Sequence, residues 1–313
     1  MCDILLVKEE RVTYLAFTNF YIGLTDYDWY KYHKSIRAEE VNFWRPGSQP
    51  FKALPENGLF LFKLKKKHGS KIVGGGFFKK YINIPISLAW DSFGERNGVR
   101  TEPEFTAKIR AMRARNNLDV NNPNVGCIIL TDTFWLTEEN GIPGPSDWSI
   151  NIVTGANCDA SSSDGKRILE ELKLRLSSSG NRYSITETKH RLGQGGFRVL
   201  VTEAYKERCA ISGEKTLPVL EAAHIQDFAC DGPHEVQNGI LLRSDIHTLY
   251  DKGYLTITSD LRVEVSHRLH EDFGNGKIYY QYHGKELQIL PDAMDSRPAK
   301  EFLEWHNENR FLG

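Results

Sequence analysis

Four side chains in the last third of the chain have the types and spacing for hydrolysis of a charged ester: His224, Asn238, His247 and Asp251. Asn238 follows His224 by 14 residues and precedes His247 by 9, and Asp251 lies 4 beyond His247. Positions i and i+4 share one helix face, so a helix here lets His247 and Asp251 grip one ion. Cutting a phosphodiester asks for a nucleophilic water, neutralised phosphate charge and a stabilised departing 3′ oxygen. A neutral imidazole suits the first task, which makes His224 the candidate general base. A divalent cation on His247 and Asp251 would serve the other two. Asn238 has both a donor and an acceptor, so it either fixes its loop and orients His224 or coordinates the metal itself. A histidine with a carboxylate and no soft ligand suits Mg²⁺, Mn²⁺ or Ni²⁺ better than a closed zinc site.

Three kinds of element must carry these groups. Thr216 to Ile225 (TLPVLEAAHI) reads as a strand or hairpin arm that ends near His224. Asn238-Gly239 marks a loop. Ser244 to Lys252 (SDIHTLYDK) reads as a helix capped by Ser244 and closed by Gly253. Tyr254 to Thr258 and Leu261 to Ser266 follow as strands, and Glu301 to Asn309 as a final helix. Upstream, Phe197 to Arg208 and the Ile168, Leu169, Leu172, Leu176 stripe of Lys166 to Leu176 predict two further helices.

The stretch Cys209 to Gly253 resembles the HNH nucleases of ββα-metal fold, because A-A-H-I, N-G-x-x-L-R and H-x-L-x-D occur in that order at matching distances. The resemblance implies His224 as general base, Asn238 as the motif asparagine and His247 as a metal ligand, with Asp251 at a position where many members place another. Many members also carry His or Asp just before the base, where this chain has Ala223. The replacement ligand is open between Glu221, Asn238, water and phosphate oxygens. The two C-x-x-C pairs that brace many members are reduced here to Cys209 in C-A-I-S, so no structural zinc is expected. The preceding RLGQGGFR (Arg191 to Arg198) resembles the R-x-G-Q-x-x-F-R stretch leading into such domains. Its glycine amides and the side chains of Arg191, Gln194 and Arg198 suit contacts to phosphate, as does Arg243 beside the helix.

The first half reads as α+β. A helix is expected at Asp26 to Ser35, capped by Thr25 or Asp26, and another at Glu102 to Arg115 with its arginines on the surface. Strands are expected at Gly58 to Lys65, at Val125 to Thr131 and at Lys71 to Phe78, whose three glycines mark a bulge or a close approach of another backbone or of a ligand. Trp44 (EVNFWRPG) and Trp90 with Asp91 (SLAWDSFGERNG) have the composition of a pocket for a flipped base, stacking on its faces and bonding its edge. Basic segments Lys63 to Lys71 and Lys108 to Arg115 suit a nucleic-acid backbone on either side. This half resembles, less specifically, the PUA-like superfamily that includes EVE, YTH and SRA-type readers of modified bases. The whole arrangement is similar to bacterial restriction enzymes that join such a reader to an HNH nuclease.

The 313 residues leave room for about two domains. The expected division is a PUA-like β-barrel at 1–150, a linker at 151–165 and the nuclease with its helical lead-in at 166–313. A net charge of −1 gives no whole-chain support to nucleic-acid binding, so any basic face is local. No apolar run approaches a membrane span, Met1 to Glu10 carries acids rather than the bases of a signal peptide, and five scattered cysteines suit a reducing cytoplasm. The resulting expectation is a Mg²⁺-type DNA endonuclease acting on double-stranded, modified DNA as a homodimer, since duplex DNA is two-fold symmetric. The competing expectations are a nonspecific or RNA-directed nuclease and a non-catalytic binder of modified bases.

Overall fold

Runs of β-branched and aromatic residues become strands, and stripes at helical spacing become helices, in groups of like elements along the chain. A computed structural model describes residues 18–149, 151–178 and 192–313; Met1 to Glu10, Cys2 and Arg191 lie outside those residues. The strands and α-helices run β1 (Asn19–Thr25), α1 (Tyr27–Ile36), β2 (Glu40–Asn42), β3 (Leu59–Leu64), β4 (Lys71–Pro85), α2 (Ile86–Phe93), α3 (Glu102–Arg115), β5 (Asn124–Trp135), β6 (Ile142–Pro143), β7 (Gly155–Asp159) and α4 (Ser163–Ser178). They continue with α5 (Gln194–Ala204), β8 (Leu220–His224), β9 (Gly239–Arg243), α6 (Ser244–Asp251), β10 (Leu255–Ile257), β11 (Val263–Val265), α7 (Arg268–Phe273), α8 (Lys277–Tyr280) and α9 (Lys300–Asn309). The fold is α+β. Among the described residues the larger set of strands pairs along the open order β2-β5-β4-β3-β1-β7, with β6 beside β4. Closure of these strands into the expected barrel is not seen.

The chain divides into two units, and neither is one continuous stretch. The first takes its described residues from Met1–Ala38, Phe51–Lys80 and Asp132–His190, the second from Glu39–Pro50, Tyr81–Thr131 and Arg191–Gly313.

In the first unit β1 and β3 are parallel with α1 between them, and β7 pairs antiparallel with the other edge of β1. Asp26 occupies the cap position of α1 without a side-chain cap bond and instead meets Lys65 at 3.5 Å. The glycines of β4 behave as expected. A Cβ on Gly74 would lie 2.4 Å from the Phe134 carbonyl oxygen, and the register with β3 shifts between Leu61 and Lys63. The segment expected as a linker holds β7, whose mixed exposure suits a polar edge strand. Helix α4, expected as a lead-in to the nuclease, buries Ile168, Leu172 and Leu176 among Phe20, Ile22, Ile72 and Phe134 of this unit. Three fully buried aliphatic side chains, worth about 1.5–3 kcal/mol each, hold it there. Lys63 is also withdrawn from the expected basic surface: it is buried with its ammonium 4.6 Å from the centre of the Trp148 ring.

In the second unit β2 pairs antiparallel with β5, and α2, α3 and Val199 of α5 share one apolar core. Thr101 caps α3 by accepting the Glu104 amide. Arg113, expected on the surface, is 1% exposed, and its guanidinium donates to the carbonyls of Pro46, Asn122 and Asn124. The β8–β9 hairpin, α6, β10, β11 and α9 surround a second core that includes Val201, Ile240, Ile246, Tyr250 and Leu303.

Candidate active site

The register of one hairpin places the first functional side chain. Leu220 pairs with Arg243 and His224 with Gly239, so β8 ends on His224 where β9 begins. A Cβ on Gly239 would lie 2.4 Å from Val201 Cγ2 and 3.0 Å from the Phe197 ring, so glycine lets α5 pack flush against the hairpin. Asn238 is fully buried and its amide is committed to the loop between the strands. Its Oδ1 accepts the Gln226 amide at 2.8 Å, and its Nδ2 donates at 3.0 Å to the carbonyls of both Gln226 and Pro233. Of the roles open to Asn238, the geometry matches loop fixing, with no bond to the His224 ring.

His224 lies face to face with Phe197, ring centres 4.0 Å apart and planes at 10°. Its Nε2 is 3.0 Å from Nδ1 of His234. Burial, then the neighbouring His234 and His247, push its pKa down to about 4, against the pull of Asp251. The ring is therefore neutral at physiological pH, the state a general base needs.

Helix α6 starts directly after β9, and Arg243 rather than Ser244 occupies its cap position. One face presents His247 and Asp251, with His247 Nε2 3.3 Å from Asp251 Oδ2. Glu221, two residues into β8, places Oε2 2.6 Å from His247 Nδ1. Burial lowers the His247 pKa, but the bonds to Asp251 and Glu221 outweigh it and the net shift is upward. Among the described residues no group of three or more His, Cys, Asp or Glu side chains is gathered as a preformed metal cluster. The donor set nevertheless fits a hard divalent cation. With Nδ1–H donated to Glu221, Nε2 of His247 and the half-exposed Asp251 carboxylate are an imidazole and an oxygen ligand on one helix face, and Glu221 fixes the tautomer.

His224, His247, Asp251 and Glu221 line one cleft of about 560 Å³, together with Gln194, Phe197 and Arg198 of α5. Residues 209–258, which contain all four, match the family model described as HNH endonuclease. This stretch is an HNH endonuclease domain. An HNH endonuclease hydrolyses phosphodiester bonds, so the chain is an enzyme. No curated protein matches the chain. A solved structure titled "Modification dependent TagI restriction endonuclease" is similar at 12% identity over 88% of this chain and 76% of its own, with a TM-score of 0.29. So loose a superposition leaves the assignment resting on the HNH match and the local geometry.

The glycine amides leading into the HNH domain, expected to meet phosphate, already have an anion. Glu40 of β2, 4% exposed, accepts from Gly193, Gly195 and Gly196 at 2.9–3.1 Å and from Arg96 Nη1 at 2.8 Å. A carboxylate at a helix N-terminus gains from both the unpaired amides and the helix dipole. This anchor fixes α5, and α5 delivers Phe197 beneath His224. Glu40→Ala strips three amides, those of Gly195 and Gly196 buried and that of Gly193 part-buried, of their acceptor and is expected to cost about 3–5 kcal/mol of stability, measured by urea unfolding of the full chain. A loss under about 1 kcal/mol would mean that the contact does not hold the helix.

The remaining expected residues separate. Gln194 and Arg198 line the cleft, and Arg198 also donates to the Asp91 carbonyl at 3.3 Å. Arg243 does not line it; its guanidinium is paired with both Asp245 oxygens at 2.6 and 2.8 Å. Trp44 and Trp90 are half-buried around Phe105, with ring centres 5.6 and 6.2 Å from it, and Trp44 donates its indole N–H to the Asn97 carbonyl. Asp91 is exposed at the end of α2. The cleft also contains Asp227 paired with Arg310, and an exposed Phe228. No motif spacing pointed to these residues or to His234.

Proposed function

We propose that the chain is a metal-dependent DNA endonuclease directed at double-stranded DNA with modified bases, selecting its target through a PUA-like reader drawn from residues 1–150 and cutting through the HNH stretch 209–258 with the α5 helix before it. The observation that carries the cutting half is the convergence of His224, His247 and Asp251 on one cleft inside the HNH match. His224 takes the proton of the attacking water, Asn238 holds the loop beside it, and Gln194 and Arg198 bind phosphate from α5. His247 and Asp251 would hold a divalent cation, Mg²⁺ or in its place Mn²⁺ or Ni²⁺, with Glu221 orienting His247 rather than coordinating. Such a cation, when bound, supplies charge neutralisation at the phosphate and at the departing 3′ oxygen.

The reader half of the proposal draws on the resemblance to PUA-like readers and on Trp44, Trp90 and Asp91. The two-fold symmetry of duplex DNA favours a homodimer for a double-strand cut, which analytical ultracentrifugation on DNA tests. No described helix is long and apolar enough to cross a membrane. On its scattered cysteines, which suit a reducing compartment, we assign the protein to the cytoplasm as part of the same proposal.

The deciding experiment is cleavage of plain and base-modified duplexes, and of RNA, with Mg²⁺ and with EDTA. Modified duplex should be cut with Mg²⁺ and spared with EDTA. Equal cutting of plain duplex would remove the selectivity, and preferred cutting of RNA would remove the DNA target. Trp44→Ala and Trp90→Ala are expected to reduce the modified-to-plain cleavage ratio by about 5- to 100-fold, the worth of one base stacked on an aromatic ring. An unchanged ratio in both variants would move the pocket elsewhere.

A further inference from the structure

The motif asparagine does not touch the general base, so something else must set the orientation and protonation pattern of that ring. Phe197 fixes the plane of His224 by stacking, but a stacked ring can still exchange its two tautomers. Among the described residues, the one hydrogen bond to the His224 ring runs from Nε2 to Nδ1 of His234, and Nδ1 of His224 has no such partner. His234 is itself held on two sides. Phe228 stacks on it with centres 4.4 Å apart and planes at 20°, and Asn238 grips the carbonyl of Pro233, the residue before it. Asn238 therefore reaches His224 through His234.

A nitrogen–nitrogen contact of this length carries one proton. If His234 donates it, the Nε2 lone pair of His224 is engaged and the remaining proton is on Nδ1, which leaves no free lone pair for a base. If His224 donates it, Nδ1 of His224 is free. A neutral histidine favours the tautomer protonated at Nε2. With both rings in that form, Nε2–H of His224 points at an unprotonated Nδ1 of His234, which is the second arrangement. We propose that His234 is a positioning residue for the cleavage reaction: by accepting the Nε2 proton of His224, it holds that ring in the tautomer whose Nδ1 takes a proton from water. In the step itself, one water proton moves to Nδ1 and the hydroxide oxygen forms the new bond to phosphorus as the bond from phosphorus to the departing 3′ oxygen breaks; the electron pair leaves on that oxygen, which takes its proton from solvent. The Nε2 proton stays on His224, now an imidazolium, and remains donated to neutral His234. No proton passes on to His234. This inference rests on the endonuclease reading of the site.

The test compares His234→Ala, His234→Asn and the unaltered full chain. His234→Ala should lower single-turnover kcat by about 10- to 100-fold, the usual loss when an orienting partner of a reactive imidazole is removed, with KM for DNA little changed. His234→Asn places an amide oxygen where Nδ1 accepts, and should recover part of that loss. A merely structural role would not give rescue by an acceptor that cannot take a proton. Independently of cleavage, ¹⁵N spectra of histidine-labelled protein should show an unprotonated Nδ1 on His224 at neutral pH, averaged towards both tautomers in His234→Ala. Full kcat in His234→Ala, no gain in His234→Asn over His234→Ala, or a protonated Nδ1 in the unaltered chain would each overturn the proposal. Absence of any cleavage by the unaltered chain would instead overturn the endonuclease reading, while the ¹⁵N spectra still report on the pair.

Discussion

His224→Ala should cut DNA roughly 10²- to 10⁴-fold more slowly than the unaltered chain, the contribution of one positioned base, with DNA binding by gel shift preserved. The separation is expected because the loop beside His224 does not depend on its ring: Asn238 ties Gln226 and Pro233 directly. Burial and the neighbouring imidazoles hold His224 neutral down to about pH 4, so its proton-accepting form dominates throughout the physiological range. A folded His224→Ala protein that cuts at the original rate would remove the base from this residue and leave the HNH match without a chemical explanation.

Chelation should have the other large effect. Thorough EDTA treatment is expected to bring cleavage down by about 10³-fold or more, because charge neutralisation by a cation is worth several kcal/mol and each 1.36 kcal/mol is tenfold in rate. His247→Ala with Mg²⁺ present should fall comparably, since it removes the imidazole from the pair with Asp251. The pH dependence has a definite sign. The His247 pKa is raised, so as pH falls His247 gains a proton before an ordinary histidine would, and that proton competes with a cation for Nε2. The Mg²⁺ concentration for half-maximal cleavage should therefore rise as pH drops, beginning above the usual imidazole range. Full hydrolysis under EDTA, or a Mg²⁺ requirement that does not change with pH, would overturn the metal assignment.

The chemistry of the C-terminal part was legible because a short hairpin and the helix that follows it build the site. His224, Asn238 and His247 are spread over 24 residues, and strand, loop and helix follow one another with little else between. Local periodicity therefore located them, and the i, i+4 spacing of His247 and Asp251 put both on one face as expected. Within the glycine-rich RLGQGGFR, the backbone amides were not free for phosphate, for a physical reason. Amides at a helix N-terminus attract anions of any origin, and the anion here is Glu40, more than 150 residues away. Arg113 and Lys63 show the same limit. A basic residue in sequence looks solvent-facing until three carbonyls or an indole face are seen to hold it.

Types and short-range spacing in the chain alone pointed to the HNH domain and to the candidate base and cation ligands, because those groups lie on adjacent elements whose periods are local. Only the tertiary structure decided how they are supported. Glu40 secures α5 beneath His224, Glu221 backs His247, and His234 meets the ring that Asn238 was expected to orient. It also decided that α4 packs in the first unit and that the described strands follow an open order. Such pairings join residues with no common period, and burial makes them favourable only after the chain has brought them together.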